Sequence, residues 1–73
     1  MDKIQQISAE CWAIFKKFAA QDKTDENWEA FNEIGQDMSE KYTGIEKKFA
    51  IEMFLVFSNY LERQEKLKRG EPI

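Results

Sequence analysis

The chain is short, acidic and rich in helix-forming residues. It has 73 residues, of which 42% are apolar, 34% are charged and 14% are aromatic, and its formal net charge is −3. This balance is typical of one folded domain and excludes a disordered chain. One proline and three glycines are too few for the turns of an all-β domain, so we expect an all-α fold.

Histidine and cysteine usage excludes several kinds of active site. With no histidine, the chain lacks the usual general base and the commonest metal ligand, and Ser-His-Asp or Cys-His catalysis is excluded. The single cysteine, Cys11, cannot form an internal disulfide or a metal site by itself. We expect Cys11 to pack as a small apolar side chain, with no cofactor and no enzymatic activity. An enzyme would need a cofactor or an active site shared between subunits.

The sequence also predicts where the protein is found. Residues 1–4 contain no apolar signal-peptide stretch, and no apolar run is long enough to span a membrane. A lone thiol suits a reducing compartment. We therefore expect a cytoplasmic protein that makes no membrane contact.

A first helix is predicted over residues 3–20. Its apolar side chains recur at separations of three and four residues, which places them on one helix face: Ile4, Ile7, Cys11, Ile14 and Phe18. Trp12 and Phe15 widen this face. Asp2 precedes the helix, and its carboxylate can accept hydrogen bonds from the first free N–H groups.

A second helix is predicted over residues 25–42, with Thr24 or Asp25 as its N-cap. Its apolar stripe again has separations of three and four residues: Trp28, Phe31, Gly35, Met38 and Tyr42. Glycine in a helix costs about 1 kcal/mol relative to alanine. We therefore expect a neighbouring helix or a large ring, such as that of Trp12, to approach Gly35 closely.

A third helix is predicted over residues 44–69. Thr43 and Glu46 match the capping-box pattern Thr-x-x-Glu, and Gly70 and Pro72 follow the expected end. Between residues 49 and 57, only Glu52 is polar. We expect one wide face of this helix to turn inward, formed by Phe49, Met53, Val56, Phe57, Tyr60 and Leu61.

These segments predict a three-helix bundle with a long C-terminal helix, packed as a homodimer. A domain of this size buries only roughly 60% of the surface of its unfolded chain, so additional burial through a partner is expected. Ile51 and Leu55 fall outside the inward face, yet a helix that is apolar nearly all round is buried nearly all round. We hypothesise a self-association surface on the third helix, made of Ile51, Phe54, Leu55 and Ser58. The alternative is that Ile51 and Leu55 are scattered exposed apolar residues, which are normal.

The second helix also carries a concentration of negative charge. Residues 22–40 contain seven acidic residues and one basic residue, a net charge of −6. Five of the acidic residues are separated by three or four positions and form what we call the acidic ridge: Glu26, Glu29, Glu33, Asp37 and Glu40. The ridge is either a solvated face or a docking surface for a partner with a basic surface, including one whose nucleic-acid site it would occupy. Direct nucleic-acid binding is not expected, because the isoelectric point is near 4.9.

The aromatic residues allow two interpretations. Packing in the core is the first, because aromatic stripes with helical spacing usually form a core. The second is a ligand pocket lined by Trp12, Trp28 and phenylalanine rings. We favour the core, because a small three-helix domain has little room for a ligand cavity.

Four segments carry a resemblance that covers most of the chain: Cys11–Phe18, Asn27–Glu29, Ser39–Tyr42 and Tyr60–Glu62. With these segments the sequence resembles small uncharacterised helical proteins that are encoded by prophages and conjugative elements of Gram-positive bacteria. The resemblance implies an accessory role in a mobile element or its host. It assigns no reaction and no site residue.

Overall fold

Three helices make up most of residues 2–71, the part of the chain that the structure describes. In this computed structural model, α1 spans Lys3–Ala19, α2 spans Asp25–Glu40 and α3 spans Gly44–Lys68, and residues 2–71 contain no strand. The all-α, three-helix prediction is confirmed. The predicted ends extend one residue too far for α1 and α3, and two residues too far for α2.

Side-chain oxygens cap the first two helices. The Asp2 carboxylate accepts hydrogen bonds from the backbone N–H groups of Ile4 and Gln5, at 2.7 and 3.1 Å. The Thr24 hydroxyl accepts from the N–H of Asn27 at 3.1 Å. These bonds satisfy N–H groups that have no partner inside the helix. The predicted Asp2 cap is confirmed, and Thr24 rather than Asp25 caps α2.

The end of α1 is held by a lysine from the connection that follows it. The Lys23 Nζ donates to the carbonyl oxygens of Phe18, Ala19 and Gln21, at 2.9, 3.2 and 2.6 Å. The same ammonium lies 4.8 Å from the centre of the Phe18 ring. A cation at this position satisfies the last carbonyls of the helix and suits its dipole.

The predicted capping box at the start of α3 is wrong. The Thr43 side chain makes no capping hydrogen bond, and Gly44 has a φ of 60°. A capping box requires helical backbone angles at the residue that follows the cap. Glycine adopts a positive φ readily. With this φ at Gly44, the backbone that enters α3 does not have the geometry of a capping box.

The end of α3 follows the prediction. Gly70 has a φ of 76°, its N–H donates to the Leu67 carbonyl at 3.1 Å, and the N–H of Glu71 donates to the Lys66 carbonyl at 2.8 Å. This pair of hydrogen bonds is a Schellman motif, in which glycine takes the left-handed position. Pro72, the other predicted stop, lies outside the described residues.

The helices run up, down and up. Ile4 near the start of α1 lines the same surface depression as Ile45 and Phe49 near the start of α3. The Phe15 ring later in α1 lies 6.1 Å from the Tyr60 ring later in α3. Helices α1 and α3 are therefore parallel, and α2 runs antiparallel to both.

The core lies along the axis between the three helices and has two halves. One half contains Ile7, Cys11, Met38, Tyr42 and Ala50. The other contains Phe18, Phe31 and Leu61. Ile14 and Phe54 pack against both halves, so the apolar interior is continuous from one end of the bundle to the other.

Gly35 lies directly against an aromatic ring of α3. It is buried, and a methyl group added to it would overlap the Phe54 ring. The prediction of a large ring at Gly35 is confirmed, but the ring is that of Phe54 rather than Trp12. Since glycine has no side chain, the ring lies directly on the α2 backbone, close to Phe31 at 4.7 Å between ring centres.

The inward side of α3 differs from the prediction. Ala50 and Leu61 are fully buried, whereas the Val56 and Tyr60 side chains are 66% and 51% exposed. The prediction that Val56 and Tyr60 face the core is therefore wrong. With the Phe54 ring seated on Gly35, the inward direction of α3 passes through residues 50, 54 and 61, and this orientation turns residues 56 and 60 outward.

The bundle is extended for its length. Its radius of gyration is 13.0 Å and it measures 40 × 22 × 18 Å, against roughly 11 Å for a compact domain of 73 residues. Its accessible surface is 5332 Å², about 600 Å² more than the roughly 4,700 Å² typical of this mass. The longest helix is α3, which has eight residues more than α1.

Candidate interaction surfaces

Large apolar side chains are exposed mainly on α3. Within residues 2–71, six of the nine exposed ones belong to this helix: Ile45, Ile51, Leu55, Val56, Tyr60 and Leu67. The remaining three are Ile4, Trp12 and Ile34. Because α3 packs on α1 along one side and on α2 along the other, its exposed residues form two separate surfaces.

The first surface, which we call the α2–α3 flank, consists of Ile51 and Leu55. Their side chains are 42% and 51% exposed and line a shallow groove with residues of α2. The other two predicted self-association residues lie further inward. Phe54 forms part of the floor of the groove, and Ser58 is buried. The structure thus brings Ile51 and Leu55 together at the surface and places Ser58 inside the bundle.

The second surface, which we call the α1–α3 face, is larger. Its exposed members are Ile4, Trp12, Ile45, Val56, Tyr60 and Leu67. Trp12 is stacked on Phe15 at 5.5 Å between ring centres, and both contact the Phe57 ring, at 6.5 and 5.0 Å. Since Phe15 and Phe57 come from different helices, this aromatic cluster joins α1 and α3 into one surface.

Sequence reasoning missed the α1–α3 face because it assigned four of its six exposed members to inward helix faces: Ile4, Trp12, Val56 and Tyr60. Trp12 was expected to widen the inward stripe of α1, and its side chain is half-exposed. One signal could have identified it: Lys16 follows one helical turn later, and its ammonium lies 5.8 Å from the centre of the Trp12 ring. A lysine at that spacing indicates the solvent-facing edge of a helix.

All five residues of the acidic ridge are exposed. Within residues 2–71, none of them forms an ion pair. Glu40 accepts a hydrogen bond from the neutral Gln36 amide at 3.4 Å. The negative charge of α2 is therefore presented to solvent without internal compensation. The ridge is brought together along one helix, as the sequence predicts.

A polar cluster ties α1 to the end of α2. The Tyr42 hydroxyl donates to Glu10 Oε1 at 3.1 Å, and the Lys41 ammonium lies 3.1 Å from Glu10 Oε2. Burial, together with the hydrogen bond and charge of Glu10, raises the pKa of the Tyr42 hydroxyl above its ordinary value. The cluster fixes the position of a buried tyrosine and presents no free nucleophile.

Cys11 is unsuited to nucleophilic chemistry. Its side chain is buried between the helices, and burial raises the pKa of the thiol to about 11, with a smaller contribution from the Glu10 carboxylate. The thiolate is the reactive form of cysteine, so Cys11 is protonated and unreactive at neutral pH.

Trp12 and Trp28 contact different aromatic residues. Trp28 packs edge-on against Phe18 and Phe31, whereas Trp12 stacks on Phe15. Trp28 also borders a shallow open groove with the charged end of α3. The two tryptophans therefore belong to two separate groups of contacting rings.

Within residues 2–71, no three Asp, Glu or Cys side chains are grouped so that they could hold a metal ion, and no helix there is long and apolar enough to cross a membrane. No protein-family model, curated protein or solved structure matches the chain.

Proposed function

We propose that this chain is a small, non-enzymatic protein that acts by binding protein surfaces and that associates with itself through α3. The observation that carries the proposal is the excess of exposed apolar residues on α3, which occur on both of its flanks. A helix that serves only an intramolecular core has one apolar stripe. Exposed apolar surface that continues on two sides is typical of a helix that packs against a partner.

The shape of the molecule supports self-association. Its accessible surface exceeds the typical value for this mass by about 600 Å², and a standard protein interface covers roughly 800 Å² of each partner. The excess is thus close to what one interface would cover. The buried, protonated Cys11 thiol supports a function without chemistry.

Light scattering across a concentration series tests this proposal. We expect the wild-type chain to have the mass of a dimer at high concentration. The double variant Leu55→Glu with Val56→Glu introduces one charge on each flank and should give a folded monomer, checked by circular dichroism. Asn59→Glu is the control, since it adds a negative charge at an exposed polar position of α3 and should remain dimeric. A wild-type protein that is monomeric at every concentration overturns the proposal.

A second candidate function uses the acidic ridge. The observation in its favour is that all five acidic residues are exposed and lack an ion-pair partner within residues 2–71. We propose as the alternative that the ridge occupies a basic or nucleic-acid-binding site on another protein. Reversing Glu29, Glu33 and Asp37 to lysine should then abolish capture of that partner, and unchanged capture by the reversed variant would refute it.

The cellular setting is a proposal of the same kind. A lone reduced thiol supports a cytoplasmic location, and the sequence resemblance supports an accessory role in a prophage or conjugative element. Measuring whether the gene is expressed together with mobile-element genes tests this setting. Independent, constitutive expression would argue against it.

A further inference from the structure

We propose that the α1–α3 face is the surface through which the chain associates with itself, and that a second copy packs the same face against it around a two-fold axis. This inference rests on the proposed function, because it presupposes self-association. The interface is then only one of the two apolar surfaces of α3, and α1 contributes Trp12 to it.

The α1–α3 face is continuous along both helices. The stacked Trp12 and Phe15 rings contact Phe57, and Phe15 also contacts Tyr60. Towards the other end of the bundle, Ile4 and Ile45 share a depression with Phe49. The apolar surface therefore extends along both helices instead of ending at isolated side chains.

The α1–α3 face includes a long apolar strip on α3. Its apolar members follow one another at separations of 4, 7, 4 and 7 residues: Ile45, Phe49, Val56, Tyr60 and Leu67. Each separation is close to a whole number of helical turns, so these residues form one strip roughly 33 Å long. The α2–α3 flank has two exposed apolar members on α3, separated by a single turn.

The charges around the α1–α3 face favour a second copy of the chain as its occupant. The acidic ridge belongs to α2, which is not part of this face, so two copies joined here do not bring their acidic ridges together. Charges of both signs border the face: Lys16 lies over Trp12, Glu52 precedes Val56 by one turn, and Arg63 follows Tyr60 by one turn. A strongly charged partner finds no complementary field here, whereas an apolar patch with mixed borders complements a second copy of itself.

The α1–α3 face has the larger exposed apolar area. A stable dimer needs roughly 800 Å² per partner, and the six apolar side chains of this face are each 47–79% exposed. Six exposed apolar side chains can supply most of such an interface. Two side chains on the α2–α3 flank cannot.

Adjacent residues of α3 provide a matched test. Leu55 lies on the α2–α3 flank and Val56 on the α1–α3 face, and their side chains are 51% and 66% exposed. We expect Val56→Glu to raise the dissociation constant of the dimer at least about 100-fold, as loss of a central interface residue does. We expect Leu55→Glu to change it less than about 3-fold. Analytical ultracentrifugation measures both, and circular dichroism confirms that both variants fold.

The outcomes separate this inference from the proposed function. A dimer that Leu55→Glu disrupts and Val56→Glu leaves intact overturns the α1–α3 assignment while self-association stands. A wild-type monomer overturns both. If both substitutions disrupt the dimer, Trp12→Gln decides: loss of the dimer supports the assignment, because Trp12 is on α1 and distant from the α2–α3 flank, and an intact dimer overturns it.

Trp12 fluorescence gives an independent readout. The chain has two tryptophans, so Trp28→Phe leaves Trp12 as the reporter. We expect its emission to move to shorter wavelength as protein concentration rises, since the half-exposed indole enters an apolar interface. The shift should disappear when Val56→Glu is added. Emission that is independent of concentration while the protein dimerises overturns the inference.

Discussion

Helix α2 separates its charged and apolar residues onto opposite sides, whereas the middle of α3 is apolar in nearly every direction. In α2 the acidic ridge is exposed and Phe31, Gly35 and Met38 are buried, so the sequence alone orients the helix. In α3 the pattern leaves several orientations open, and packing selects one. The sequence of a strongly amphipathic helix therefore determines which side faces the core. In a uniformly apolar helix, packing against the neighbouring helices determines this, and some apolar surface remains exposed.

The largest expected effect tests whether α3 has one buried side, by truncating a buried and an exposed leucine of this helix. Leu61 is 1% exposed, so Leu61→Ala should lower the free energy of unfolding by about 3 kcal/mol, through lost burial and the cavity left behind. Leu55→Ala is the matched control on the same helix and should cost about 1 kcal/mol or less, because the side chain is half-exposed. Urea denaturation measures both, and equal losses would show that α3 has no inward side as described.

A substitution at Gly35 of α2 tests the contact with Phe54 that orients α3. Gly35→Ala should lower the free energy of unfolding by about 2 kcal/mol, because the added methyl overlaps the Phe54 ring. In an open helix the same change is favourable by about 1 kcal/mol, so the sign is informative. Phe54→Leu introduced together with Gly35→Ala should recover at least about 1 kcal/mol relative to the sum of the single changes. A stabilised Gly35→Ala variant contradicts the close approach.

The stability of the protein at alkaline pH tests the burial of Cys11, which α1 contributes to the core. The folded state raises the pKa of Cys11 from 9.0 to about 11, so the folded protein retains a proton that the unfolded chain releases. The contribution of Cys11 to stability is then constant below about pH 9 and falls by about 2–3 kcal/mol as pH rises towards 11. Tyr42, whose pKa is also raised, adds a loss in the same direction.

The control for this pH dependence is Cys11→Ala. It should be less stable at neutral pH and should show a shallower decline between pH 9 and 11, when both proteins are unfolded by urea at each pH. The same decline in both proteins would mean that the Cys11 thiol does not titrate differently in the folded state.

The smallest expected effect concerns the acidic ridge. Glu33 lies one turn from both Glu29 and Asp37, and like charges at this spacing repel by a few tenths of a kcal/mol per pair. Glu33→Gln should therefore raise the free energy of unfolding by about 0.5 kcal/mol at low salt. The gain should vanish near 1 M salt, where screening removes the repulsion. A loss of stability would show that the ridge has a structural partner.

The periodicity of the sequence predicts the three helices, the Asp2 cap and the glycine stop at residue 70, because these depend on local spacing and local hydrogen bonds. The capping box at Thr43 could not be judged from the residues alone, since the positive φ of Gly44 decides it. Sequence spacing also identifies the acidic ridge, whose residues all belong to one helix.

The apolar surfaces are harder to predict than the ridge. Val56 and Tyr60 were assigned to the core because the apolar run of α3 has no polar side that would orient it. Their exposure depends on where Phe54 meets Gly35, a contact between residues that are nineteen positions apart. Local pattern carries no information about such a contact, so the α1–α3 face emerges only from the three-dimensional packing.

The Phe54 ring on Gly35 also restricts sliding between α2 and α3. One turn to either side of Gly35, α2 carries Phe31 and Ser39, which both have side chains that point into the bundle. A shift of α3 by one turn, about 5.4 Å, would drive the ring into one of these side chains. The contact of Phe54 with Gly35 therefore favours the observed alignment of α2 and α3 over an alignment shifted by one turn.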